Sequence, residues 1–159
     1  MILAIDPGSR KIGLAILDGD RLVASGQFSR SSTKTVNRIA TLRADLTKWI
    51  YEAGVVPEFD IDHIVMEFGR TLRRRQGRDP AKMRVHDLAA GVILGKVFEI
   101  FGYDKIELVE PSKWKGNKTK EATKFNVEMI FSKQFQEDEA DAVGIALWFN
   151  TELKLRAAT

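Results

Sequence analysis

The hydrophobic period of this chain changes near residue 34, and that change constrains the fold more than any other feature. Before it lie three short apolar runs. Met1–Asp6 (MILAID) ends at Pro7-Gly8, Ile12–Leu17 (IGLAIL) ends at Asp18-Gly19, and Leu22–Phe28 follows the Asp-Gly-Asp turn signal. Runs of that length between turn residues predict an antiparallel meander. From Thr35 the spacing becomes helical: Val36, Ile39, Ala40, Leu46, Trp49, Ile50 and Ala53 repeat on one face, with Gly54 and Pro57 as stop signals. Ile61–Phe68 (IDHIVMEF) then reads as a buried strand that terminates at Glu67 and Gly69. Asp79-Pro80 opens a second helix to about Phe101, and Ile106–Val109 is a fifth strand stopped by Pro111. A lysine-rich loop, a third helix bearing Phe125, Met129 and Ile130, and a last helix from Glu137 to about Leu153 complete the order βββαβαβαα. The expected fold is α/β: a mixed five-stranded sheet, three antiparallel strands then two parallel, flanked by helices.

The 159 residues suit a single domain spanning 1–159. With no cysteine, disulfides, thiolate metal sites and cysteine nucleophiles are excluded. No stretch approaches the ~18 apolar residues of a membrane span, and Met1–Ile5 is too short for a signal peptide, so a soluble, cytoplasmic protein is expected.

The net charge of +3 divides unevenly along the chain. Between Arg70 and Arg84 seven basic residues (Arg70, Arg73, Arg74, Arg75, Arg78, Lys82, Arg84) face one acid, Asp79, and between Lys113 and Lys124 five lysines face Glu121. Glu137, Asp138, Glu139 and Asp141 then form an acidic cluster with no base among them. Asp6 closes the first apolar run and Glu67 the fourth, both places where an acid is expensive. Asp138 and Asp141, three residues apart in the first turn of the last helix, share a helix face at its positive end. Singly, each acid has an ordinary reading: Asp6 as a turn former, Glu67 as an exposed strand end, Asp138 as a helix-start charge. Together, on neighbouring strands crossed by a helix with the small apolar surface Ala140, Ala142, Val143, Ile145 and Ala146, they converge.

Converging carboxylates raise one another's pKa unless a cation compensates. An all-oxygen set selects a hard ion, Mg²⁺ or Mn²⁺. Two such ions ~4 Å apart serve phosphodiester cleavage. The basic stretches then have a use, since phosphate backbone is the polyanion that both would hold. Arg73-Arg74-Arg75 reads equally as a solvated loop, and Trp114, between Lys113 and Lys115, as a base-stacking platform or as core. His63 and His86 read as structural or interface residues. Gly91 and Gly95, four apart on the second helix, read as a helix–helix or dimer contact.

The segments IDPGSRKIGLAI, IVMEF and EDEADAVGIAL, in this order and spacing, resemble the RuvC Holliday junction resolvases of the RNase H-like superfamily. The resemblance spans nearly the whole chain. It implies an RNase H-like fold and a homodimer that resolves four-way DNA junctions by paired metal-dependent nicks, a crossover junction endodeoxyribonuclease with two Mg²⁺ (or Mn²⁺) per site. Asp6, Glu67, Asp138 and Asp141 match the family's metal-ligating acids. Lys115 and Lys120 match its catalytic lysines, with Lys120 the better match, and the helix carrying Gly91 and Gly95 would enter the dimer interface. DNA would be held by Arg70, Arg73, Arg74, Arg75, Arg78, Lys113, Trp114 and Lys118, with Phe68 as a wedge. Two departures stand out. The loop PSKWKGNKTKE is short and carries Trp114, and Phe68 directly follows the glutamate where the family places its aromatic a few positions later, so Phe68 reads either as wedge or as core. Both look more like phage-type relatives. The same acids would serve an RNase H-like nuclease on other branched DNA, flaps or RNA–DNA hybrids. Asp6-Pro7-Gly8 also resembles the phosphate loop of actin-like ATPases, which need two such domains, and a non-catalytic DNA-binding module would keep the basic stretches without needing the acids.

Overall fold

The computed structural model describes residues 1–31, 34–56, 60–69 and 80–159. Its strands are β1 (Ile2–Pro7), β2 (Lys11–Asp18), β3 (Arg21–Ser29), β4 (His63–Glu67) and β5 (Ile106–Val109). Its helices are α1 (Thr35–Glu52), α2 (Pro80–Phe101), α3 (Pro111–Trp114), α4 (Lys120–Phe131) and α5 (Glu137–Ala157). The sheet runs β3-β2-β1-β4-β5. The first three strands pair antiparallel, while β4 joins β1, and β5 joins β4, in parallel. This is the mixed sheet that the change of period predicts. Among the described residues no helix is long and apolar enough to cross a membrane.

Strand β1 is central and covered on both faces, which explains why its apolar run does not alternate with polar residues. Leu3 and Ile5 face one core, shared with Leu42, Leu46 and Ile50 of α1 and Ile93 and Val97 of α2. Ile2 and Ala4 face the other, built with Ala15 and Leu17 of β2, Val65 of β4 and the α5 residues Ala140, Val143, Ala146 and Phe149. The second face is rich in small side chains, so α5 lies close over β1 and β2. Closest of all is Gly13, where an added Cβ would stand 1.8 Å from the Asp138 carbonyl oxygen. Only a residue without a side chain allows the start of α5 to rest there.

Two local expectations are corrected. Pro111 does stop β5, but with its φ preset for a helix it opens the one-turn α3 where a loop was expected. Helix α5 continues a turn further, to Ala157. In α4 the residues turned inward are Thr123 and Val127, and Phe125, Met129 and Ile130 are exposed. This helix packs against α5 along a narrow seam, so most of its circumference meets water.

Gly13→Ala should therefore destabilise the protein by about 1–3 kcal/mol, because backbone rather than a flexible side chain occupies the space. A shift of the chemical-denaturation midpoint at constant m-value measures it.

Candidate metal centre

The register sets the site. Ile5 pairs with Met66 across the parallel β1–β4 seam, so Asp6 and Glu67 stand side by side at the carboxyl ends of neighbouring strands. By alternation both share the face of Ala4 and Val65, the face covered by α5. The first two turns of α5 bring Asp138 and Asp141 onto it. One carboxylate oxygen from each of Asp6, Asp138 and Asp141 lies within 4.8 Å of the other two. Asp138 is in the first turn of α5; Asp141, expected there too, starts the second. Glu67 stands beside this triad, its Oε2 accepting a 2.7 Å hydrogen bond from the Trp114 indole.

Two lysines answer the acids. Lys115 Nζ donates to both oxygens of Asp141, at 2.9 and 3.1 Å, with only 16% of its side chain exposed. Lys120, at the first position of α4, pairs with Asp138 and reaches Asp141 Oδ2 at 3.5 Å while staying 46% exposed. Burial, then the charges of Glu67, Asp138 and Asp141, push the Asp6 carboxyl well above the ordinary range, and Lys120 only partly offsets this. Glu67 is also raised, first by burial and further by Asp141, against the lowering effect of the Trp114 hydrogen bond and of Lys115 and Lys120. For Lys120, burial works against the ammonium, but the hydrogen bond and charge of Asp138, with Asp141 and Asp6, outweigh it and its pKa is raised.

The donor set fits a hard divalent ion. It is all oxygen, tightly clustered, and carries carboxyls whose charge is incompletely compensated by the protein itself. Asp6, Asp138 and Asp141 would hold such an ion, with Glu67 adjacent.

The remaining candidates fall elsewhere. Trp114 is 7% exposed and packs in the core beneath the site, so the base-stacking reading is corrected: its ring is enclosed and its N–H is committed to Glu67. Room for it comes from Gly144 of α5, where an added Cβ would stand 3.0 Å from the indole. Phe68 is partly buried and packs against the α1–α2 core. Lys113 and Lys118 are exposed on either side of Trp114. Arg70, Arg73, Arg74, Arg75 and Arg78 lie outside the described residues. Sequence reasoning missed Gly13, Ser25 and Gln27, which touch the first turn of α5. The one signal was the glycine inside an otherwise apolar β2.

A five-stranded sheet ordered 3-2-1-4-5, with acids at the ends of its two central neighbours and on a helix crossing them, is an RNase H-like architecture. Within that class the fold is that of the RuvC resolvases. The solved structure of T. thermophilus RuvC in complex with Holliday junction substrate matches with a TM-score of 0.68 at 19% identity, over 92% of this chain and 90% of that one. A second Thermus thermophilus RuvC structure matches with a TM-score of 0.63 at 21% identity, over 92% and 91%. No protein-family model and no curated protein matches the chain.

The raised Asp6 pKa has a consequence for stability. A carboxyl that holds its proton more tightly when folded favours the folded state below its unfolded pKa, and that contribution is lost as pH rises through the folded value. In a chelator, the protein should therefore gain stability on acidification through the folded-state titration of Asp6, relative to Asp6→Asn. At neutral pH Asp6→Asn should melt higher, by roughly 2–4 °C per kcal/mol relieved. Calorimetry at several pH values measures both. Trp114→Phe removes the hydrogen bond that holds Glu67 down, so the Glu67 carboxyl should titrate higher, as read by carboxyl-carbon NMR.

Proposed function

We propose that this chain is a single-domain, metal-dependent, structure-selective DNA endonuclease that nicks four-way junctions. The observation that carries this reading is the convergence of Asp6, Asp138 and Asp141, with Glu67 beside them, on a RuvC-type fold. A non-catalytic DNA-binding module would have no use for an acid cluster that repels phosphate. Mg²⁺ or Mn²⁺ held by these four carboxylates, two ions per site, would supply a reactive water and neutralise charge on the leaving oxygen.

The protein's own groups divide the remaining work. Lys115, nearly enclosed and bidentate on Asp141, fixes that carboxylate. Lys120 is half exposed, and its long side chain can turn from Asp138 to a phosphate oxygen arriving at the site. Lys113 and Lys118, with the arginines from Arg70 to Arg78, would hold the flanking backbone without reading bases. Two opposed nicks require two sites, hence a homodimer. The exposed face of α2 supports one: Leu88 is exposed, and among the described residues nothing stands within 4 Å of a Cβ added at Gly91 or Gly95, which leaves room for a second helix.

Incubation with Mg²⁺ and a labelled four-way junction, flap, RNA–DNA hybrid or linear duplex tests the substrate. Paired nicks in the junction alone are expected; preference for hybrid or flap moves the assignment to another RNase H-like nuclease. Asp6→Asn should abolish cleavage and leave junction binding within about threefold, since it removes charge that phosphate does not seek. Lys120→Ala should lower kcat by about 10²-fold with little change in binding. Leu88→Glu should yield a monomer by analytical ultracentrifugation and replace paired nicks by single ones.

A further inference from the structure

We propose that Gln27 of β3 is a positioning residue for Asp138: it caps the start of α5 from the sheet and so sets where that carboxylate stands. This rests on the reading of Asp138 as a metal ligand. The argument starts from register. Asp6 pairs with Gly13, and Gly13 pairs with Gln27, so the three form one row across β1, β2 and β3. The first turn of α5 lies along this row. Over Gly13 the Asp138 backbone touches the sheet.

At the end of the row, Gln27 Oε1 accepts the Asp138 backbone N–H at 2.9 Å, and its Nε2 donates to Gln136 Oε1 at 2.8 Å. The first N–H groups of any helix lack intrahelical acceptors, and the residue before the helix ordinarily supplies one. Here a side chain more than a hundred residues away does so for Asp138. Exchanging the two ends of the amide would set its NH₂ against the Asp138 N–H, so the hydrogen bonds determine its orientation. Two residues earlier on the same face of β3, Ser25 Oγ donates to the buried Glu139 at 2.7 Å, and Glu139 in turn accepts the Gln136 N–H at 3.1 Å. Lys133 adds contacts to both Ser25 and Glu139. The helix start is thus tied to β3 at Gln136, Asp138 and Glu139, and pressed against β2 at Gly13. Rotation or fraying of this turn would carry the Asp138 carboxylate away from Asp6. Outer groups that hold metal ligands in place are typically worth about 10- to 100-fold in metal affinity.

The test compares wild type, Gln27→Met and Gln27→Glu. Met matches the shape of Gln without an acceptor, whereas Glu keeps an acceptor for the Asp138 N–H. Two readouts are followed: amide hydrogen exchange at Asp138, with Val143 in the same helix as internal reference, and Mn²⁺ affinity by calorimetry. Gln27→Met should speed exchange at Asp138 at least tenfold with Val143 unchanged, and weaken Mn²⁺ binding by about tenfold. Gln27→Glu should restore the slow exchange. Unchanged exchange at Asp138 in Gln27→Met overturns the proposal. So does faster exchange with undiminished Mn²⁺ affinity, because the cap would then not serve the ligand. Equal acceleration at Asp138 and Val143 means general destabilisation and overturns it as well. A wild-type chain that binds no Mn²⁺ instead overturns the nuclease reading, and with it the role of Gln27 toward a ligand, whatever the exchange rates.

Discussion

Like charges brought together at the end of a sheet repel, and the structure around Asp6, Glu67, Asp138 and Asp141 is arranged to hold them despite that repulsion. Burial and mutual charge raise the Asp6 and Glu67 carboxyls. Opposed to this are the Lys115 and Lys120 ammoniums, one Trp114 hydrogen bond, and the rigidity of a doubly covered sheet. The protein contains more negative charge here than it neutralises. A site of this kind is destabilising by itself and persists because the two apolar cores flanking the sheet over-determine its position.

Small residues make the geometry possible. Ala4, Gly13 and Ala15 on the sheet face Ala140 and Ala146 on α5, and their combined smallness lets the helix lie low enough for its carboxylates to meet Asp6. Gly144 performs a similar service on the opposite side of α5, admitting Trp114 under the site, from where it reaches Glu67. The absence of side chains at two positions thus matters as much as the acids. A larger residue at either would displace the helix before it altered any charge.

The strands and the long helices were legible because their patterns are local: three apolar runs cut by Pro-Gly and Asp-Gly turns, then periodic segments ended by glycine. Legible too was the meeting of Asp6 with Asp138 and Asp141, because strand-end acids and a three-residue helical spacing have few arrangements once the sheet order is assumed. Burial beyond the nearest neighbours was not legible. Trp114 sits between two lysines and reads as a stacking platform or as core, and it is α3, turning it inward, that decides for core. Phe125, Met129 and Ile130 mark the third helix by their spacing and are exposed, since the periodicity marks a stripe without saying whether another element covers it. Gln27 and Ser25 are polar residues on an edge strand, and nothing near them in sequence says that a helix start more than a hundred residues later will use them.

That long separation has a consequence for synthesis. Asp6 lies on β1 and Asp138 and Asp141 on α5, so the two parts of the site are more than a hundred residues apart along the chain. Strand β1 can pair with β2 as soon as both have left the ribosome, but until α5 docks, Asp6 lacks Asp138 and Asp141 and the Ala4–Ala15 face of the sheet stands open to water. The carboxylate cluster is therefore assembled only when α5 docks, and until then the small-residue face of the sheet stays uncovered.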